Sequence, residues 1–456
     1  MRRVLLLSCV TLLALGPPPS AQAPQKVTVP IEYHTLDNGL KVVLSRDTSS
    51  PTAVVAVYYN IGFRIEPKDR TGFAHLFEHM MFQGSEHLGK NEFIMLVESN
   101  GGILNGSTRF DHTNYFQIVP AHTVETILWG EADRMRGLNI SQENLTNQQG
   151  VVKNEVRVNV LNQPYGGFPW LDLPQIANTN WYNAHNFYGD LEDLDAATLA
   201  EVQEFFKTYY APNNAVLVVT GDIDYAQTLG WIKQYFGGIP RSKVPPLPDV
   251  SEPRQEKEKR SNKIDPLANR PALALGYHHP PRHTPEYYAM GLIDQLLLQG
   301  QDSRLYQALV QERGLTGSVA GGANVGLGSM FDVKGPTLWT VYMIHDADTS
   351  ADEIIKVIDD EITRLQTAPV TKEELDLALV KRRSALYAEQ EQFVRFGRAN
   401  LLACFALFDD DPGLINRLED EFRKVTPELI QKTAKEYLRT GNRTILTITP
   451  AGKKQP

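Results

Sequence analysis

Two ten-residue stretches align without a gap. One is His75-Leu76-Phe77-Glu78-His79-Met80-Met81-Phe82-Gln83-Gly84. The other is Gly291-Leu292-Ile293-Asp294-Gln295-Leu296-Leu297-Leu298-Gln299-Gly300. Their apolar positions coincide, both close on Gln-Gly, and they begin 216 residues apart. A second match lies nearer the ends of the two halves, where 209–219 resembles 437–448 at a separation of 228. Two matches at similar separations predict two copies of one fold, each of about 220 residues. The copies differ where chemistry could reside. His75 and His79 of the first face Gly291 and Gln295 of the second, so one copy carries the chemistry and the other the shape.

Working outward, residues 31–46 read as a hairpin turning at Asp37-Asn38-Gly39. Residues 53–59 read as a buried strand, and a helix passes through 72–82. A hairpin or strand pair follows over 102–119, and 214–220 is β-rich. The expected class is therefore α+β. Between the copies, 241–266 holds five prolines and the charge run Arg254-Gln255-Glu256-Lys257-Glu258-Lys259-Arg260, a stretch unable to bury a core. It reads as a linker; the alternative is a long surface loop inside one domain. The expected organisation is a signal peptide over 1–23, an N-terminal domain over 27–240, the linker, and a C-terminal domain over 267–456. Each domain would be a mainly antiparallel sheet backed by helices.

Of the 456 residues, 42% are hydrophobic and 22% charged, with a net charge of -9, which excludes disordered and collagenous classes. An acidic chain repels phosphate backbones, so no nucleic-acid partner is expected. Arg2 and Arg3 precede the apolar run 4–15, three prolines and Ala21-Gln22-Ala23, which reads as an export signal with its cleavage site. A transit peptide would be amphipathic, and a lipid anchor at Cys9 would leave too short an apolar run before it. The expected location is periplasmic or secreted. No later stretch is long and apolar enough for a membrane span. Once Cys9 is removed, Cys404 has no partner for an internal disulfide and reads as a buried thiol.

His75-Leu76-Phe77-Glu78-His79 is the central chemical signal. Helical residues i and i+4 share a face, so both imidazoles can reach one ion, and neutral imidazole suits Zn²⁺. Glu78 lies beside His79 without having to ligate, the place for a general base acting on a metal-bound water. H-x-x-E-H is the inverted form of the H-E-x-x-H zinc motif. The competing reading is a pair of surface histidines, weakened because Phe77, Met80, Met81 and Phe82 make the helix apolar nearly all round. A catalytic zinc normally has three protein ligands, and Glu155 is the candidate third. It shares a helical face with Leu145, Gln148 and Val152, although a Glu on a helix is more often a solvated charge.

These features together resemble the pitrilysin/insulinase-like zinc peptidases, the inverzincins, and within them the processing-peptidase-like bacterial periplasmic members. The resemblance extends to Asp37-Asn38-Gly39-Leu40, Gly72-Phe73-Ala74, Phe82-Gln83-Gly84-Ser85, Gly101-Gly102-Ile103-Leu104-Asn105, Asp111-His112-Thr113-Asn114-Tyr115 and Tyr210-Ala211-Pro212-Asn213-Asn214. It implies a clamshell of two similar domains holding one Zn²⁺ on His75, His79 and Glu155, with Glu78 as the catalytic base. It implies that Asn105, on an edge strand, binds the backbone of an extended peptide substrate by β-augmentation.

Two departures stand out. Some members carry an acidic residue seven positions before the third ligand; here Gln148 occupies it, able to orient a neighbour but not to add charge. Active single-chain members carry an Arg and a Tyr seven residues apart after an S-R-L segment. Here that segment is Ser303-Arg304-Leu305, and the pair falls on Val310 and Gly317. The expected function is a zinc-dependent endopeptidase, or the catalytic subunit of a heterodimer whose second, homologous chain supplies the Arg/Tyr pair. A homodimer or monomer in which Arg313 or Tyr306 takes over is the rival assembly. A non-catalytic scaffold or peptide-binding subunit of the same fold is the rival function.

Overall fold

A computed structural model describes residues 27–451. The expected signal over 1–23, with Cys9, lies outside the described residues. The strands, in chain order, are β1 (Glu32–Thr35), β2 (Lys41–Arg46), β3 (Thr52–Tyr59), β4 (Ile103–Thr108), β5 (Thr113–Pro120), β6 (Ala215–Gly221), β7 (Lys259–Asp265), β8 (Ala272–His278), β9 (Ala320–Ala323), β10 (Leu338–Ile344) and β11 (Arg443–Pro450). They form two sheets, ordered β1-β2-β6-β3-β5-β4 and β7-β11-β8-β10-β9. Apart from β1, one order maps onto the other. In each sheet one parallel pair, β2 with β6 and β7 with β11, adjoins an otherwise antiparallel set. The repeat read from two short stretches thus extends to the order of five strands in each sheet.

Period two governs what each strand buries. In β3, Ala53, Val55, Val57 and Tyr59 pack with Phe73, Phe77 and Leu128 of the first half's own helices. The alternate residues Val54, Ala56 and Tyr58 face the second half, in a core shared with Leu401 and Phe405 of the long helix Lys372–Asp409. Tyr58 Oη donates to Asn400 Oδ1 of that helix at 2.8 Å. The second sheet is covered reciprocally. Leu275, Tyr277 and Trp339 face its own helices, while Ala272, Ala274, Leu446 and Ile448 pack on Phe168, Leu173 and Ala177 from the first half. Both sheets are therefore buried on both faces, which is why β3 reads as an unbroken apolar run. The two halves face each other as a clamshell.

The expected linker over 241–266 is irregular only as far as 258. Lys259–Asp265 is β7, an edge strand paired in parallel with β11. Its charged side chains project largely to solvent, and an edge strand tolerates such a run. Cys404 is a buried free thiol. Among the described residues, no helix is long and apolar enough to cross a membrane.

Candidate metal centre

The H-x-x-E-H motif lies on the helix Phe73–Met80, whose first turn has no side-chain cap of its own because Gly72 precedes it at φ 84°. Glu66, six residues upstream, takes that role. Its Oε2 accepts from Gly72 N at 2.8 Å and its Oε1 from Ala74 N at 2.6 Å, satisfying donors that a helix start leaves free. Burial raises the Glu66 pKa, against the pull of His185 and these N–H groups. His75, Leu76 and Phe77 are buried, and the helix packs against a second one, Gln142–Val156. Ser141 caps that partner, its Oγ accepting from Asn144 N at 3.2 Å, and a π-helical turn, Arg157–Leu161, follows it directly.

This packing carries Glu155 to the histidines. Glu155 Oε1 lies 3.6 Å from His75 Nε2 and Oε2 lies 3.1 Å from His79 Nε2. One ligand atom from each of the three residues falls within 4.8 Å of the others. The imidazoles stand perpendicular, with centroids 4.9 Å apart. Burial, followed by the nearby His79, lowers the His75 pKa to about 4, so the ring is neutral, the form that ligates metal. The Glu155 carboxyl is held below its usual range, first by its hydrogen bond with His79. At 3.6 Å a neutral His75 is too far to hydrogen-bond Glu155, and its buried Nδ1 has no partner either. A carboxylate and two imidazole nitrogens converging on one point, with the buried His75 ring left without a hydrogen-bond partner, fit a divalent cation held by two nitrogens and one oxygen.

Glu78 lies beside this trio without belonging to it. Its Oε2 accepts from Thr108 Oγ1 of β4 at 2.8 Å. Burial raises its pKa, opposed by the Thr108 hydrogen bond and by His79 and Arg109. Gly106, two residues before Thr108 on β4, packs close to Glu78: a Cβ there would come 3.3 Å from Glu78 Cγ. Asn105 is exposed on the outermost strand β4, with its Oδ1 accepting from Gly106 N at 2.8 Å. Gln148 is buried and bonds Asn147 at 2.9 Å, not a member of the trio.

Sequence reasoning missed Glu66, Thr108, Asn159 and Tyr188. Asn159 hydrogen-bonds Glu155, and the Tyr188 ring lies 5.0 Å from that of His75. Thr108 lies within the strand pair read over 102–119; Tyr188 belongs to a distant irregular segment and gives no local signal. Val310 packs against the second half's core, and Gly317 is exposed, with open space where a Cβ would stand. Neither offers a cation or a hydroxyl. A cavity of about 760 Å³ lies elsewhere, between the halves against 247–255, and no member of the trio lines it.

Comparison with known proteins agrees with this division. Residues 41–165 match the family described as Insulinase (Peptidase family M16), and residues 196–380 match the peptidase M16 inactive domain. The zinc protease PqqE of Helicobacter pylori is 26% identical over 458 residues, covering 99% of each chain. A protease from Helicobacter pylori, solved as a crystal structure, superposes with a TM-score of 0.84 at 24% identity, over 92% of this chain and all of that one. The periplasmic protease PqqL of Escherichia coli superposes with a TM-score of 0.75 at 18% identity, over 93% of this chain but only 48% of its own.

Proposed function

Since the chain belongs to the insulinase-like M16 peptidase family, with both of its domains in order, we propose that it is a zinc-dependent endopeptidase of extended peptides. The observation that carries the reading is the meeting of His75, His79 and Glu155 within 4.8 Å, with Glu78 alongside but outside the trio. These three residues would hold one Zn²⁺. When bound, the ion supplies Lewis acidity toward a peptide carbonyl and toward water. Glu78 takes a proton from the attacking water and returns it to the leaving amine. Thr108 holds Glu78 Oε2, which leaves Oε1 to face the water. The outer edge of β4 receives the substrate as an added strand, with Asn105 contacting its backbone. Gln148, two helical turns before Glu155 on the same helix, is an orienting residue.

Export to the periplasm or beyond belongs to the same reading, as does a second chain. With Val310 and Gly317 in place of cationic and hydroxyl donors, a homologous partner would supply them in a heterodimer. A periplasmic protease of which this chain covers 48% has room for two such units in one polypeptide, which supports the pairing. Elemental analysis combined with a quenched-peptide assay tests the function. We expect one zinc per chain, and activity lost to a chelator and restored by zinc. Undiminished cleavage by metal-free protein would overturn the reading.

A further inference from the structure

The long helix Lys372–Asp409 is broken at 392–395. Gln392 is extended, and Phe393, Val394 and Arg395 follow at φ 49°, 52° and 69°. Three successive non-glycine residues in the left-handed region, one of them β-branched, are held only where the surroundings fix them, and ligand clamps are among the places where such strain collects. Here Arg395 bonds Glu391 at 3.1 Å and Asp47 at 3.1 Å. Phe396 stacks on Phe116 of the first sheet with centroids 3.7 Å apart. Gly397 permits the fold-back, since a Cβ there would meet Glu389 O. This bracing leaves Phe393 56% and Val394 57% exposed, next to each other.

Their neighbour identifies what they face. The Phe393 ring meets Phe116 edge-on at 5.9 Å, and Phe116 on β5 is the cross-strand partner of Asn105 on β4. Ile118, next on that face, is the partner of Ile103, which is itself 47% exposed. Cross-strand partners share a face, and successive side chains alternate between faces. One face of β4 therefore presents Gly106 and Thr108 to Glu78, and the other presents Ile103 and Asn105 toward the kink. A strand added to the free edge of β4 alternates in the same way.

We propose that Phe393 and Val394, with Ile103 and Phe116, form a specificity site for a bulky apolar side chain of the substrate strand. The selected residue points away from Glu78 and lies two to four positions from the scissile bond, since Ile103 is about 10 Å along β4 from Gly106. This deepens the peptidase reading and rests on its placement of the substrate at β4. The occupant is the substrate itself, because the apolar strip continues the edge that the catalytic helix already borders.

The test uses the full-length, zinc-loaded Glu78→Gln chain and fluorescent ten-residue peptides, in which Leu and Asp are exchanged at each position in turn. Anisotropy should reveal one position where Leu binds at least tenfold more tightly than Asp. In Phe393→Asp/Val394→Asp that ratio falls close to one; Asp tolerates the left-handed backbone, so the fold is kept. Val380→Asp, 64% exposed on the same helix before the kink, should preserve the ratio. An unchanged ratio in the double variant, or its equal loss in Val380→Asp, overturns the proposal. Wild-type hydrolysis is followed in parallel. Cleavage with no such position overturns the specificity site and leaves the peptidase reading intact, whereas a chain that holds no zinc and binds no peptide overturns both.

Discussion

The helix Phe73–Met80 of the first half and the helix Pro285–Leu297 of the second occupy corresponding places beside sheets of the same strand order, yet only one has room for an ion. At the position of His75 stands Gly291, where a Cβ would come 2.8 Å from Phe422 Cε1 and 3.2 Å from Met330 Sδ. At the position of His79 stands a buried Gln295. At the position of Glu78 stands Asp294, whose Oδ1 accepts from Trp339 Nε1 at 2.8 Å. The second half has closed this region into core, where Asp294 is answered by Trp339 and Gln295 is buried. The first half leaves two imidazoles and a carboxylate aimed at one point. The same backbone thus yields a site or a core according to a few side chains and the packing behind them.

The largest expected effect breaks the comparison on the side of the first half. Glu78→Gln preserves shape but cannot accept a proton, so turnover should fall by about 10²–10⁴-fold with zinc retained. Glu155→Gln should instead weaken zinc binding, and His75→Ala or His79→Ala should abolish it. Elemental analysis beside kcat distinguishes these outcomes. Loss of zinc from Glu78→Gln would mean that the base and the ligands have been confused.

The next effect concerns what the second half lacks. If a homologous chain provides a cationic and a hydroxyl donor, kcat/KM should rise by about 10²–10³-fold for each transition-state donor gained. Mass measurement and peptide kinetics with and without candidate partners check this. Full activity of the lone chain, indifferent to every partner, would sink the heterodimer and leave the zinc chemistry in place.

Much of this contrast was legible in the sequence. The apolar positions shared by 75–84 and 291–300 reported the repeat because both helices must bury the same faces. The i, i+4 histidines pointed to a shared ion because helical geometry fixes their spacing. Glu155 was visible as a candidate and needed family resemblance to be proposed as a ligand, since its approach depends on how two helices pack. Glu66 and Tyr188 were illegible, because their contacts arise from irregular segments. β7 was hidden in a charge run, since an edge strand needs little apolar surface. Asn105 and Gln148 lie on the expected elements, while the interlocking of the halves, each covering the other's sheet, left no local pattern to read.

A smaller effect follows at Gly291. Gly291→His should destabilise the second half by about 1–3 kcal/mol through overpacking against Phe422 and Met330. Gln295→His, at a position with side-chain volume already in place, should cost less. Neither substitution, nor both together, should add a second zinc, because among the described residues of the second half none is placed as Glu155 is. Thermal unfolding and metal content measure both statements. A second bound zinc in the double variant would show that the contrast lies in two residues alone and not in the packing behind them.

The smallest effect tests how the halves are held together. Asp111 of the first half pairs with Arg64 at 2.6 Å and accepts from Lys334 N at 2.7 Å and Gly335 N at 3.1 Å of the second. Arg64 in turn donates to Pro336 O at 2.9 Å. Burial by itself would raise the Asp111 pKa, but the Arg64 charge and these N–H groups outweigh it and hold the carboxyl below its usual range. The unfolded chain therefore takes up this proton first, near the ordinary value of about 3.9, and the folded chain only at lower pH. The contribution to stability is complete above that ordinary value and is lost as pH falls through the folded one. For one proton the slope is at most about 1.4 kcal/mol per pH unit. The melting temperature of the wild type should therefore fall more steeply below pH 4 than that of Asp111→Asn, whose constant offset does not alter the slope. Parallel profiles from pH 5 to pH 3 would mean that this carboxylate does not clamp the halves, and that the shared core around Tyr58 and Leu401 holds them unaided.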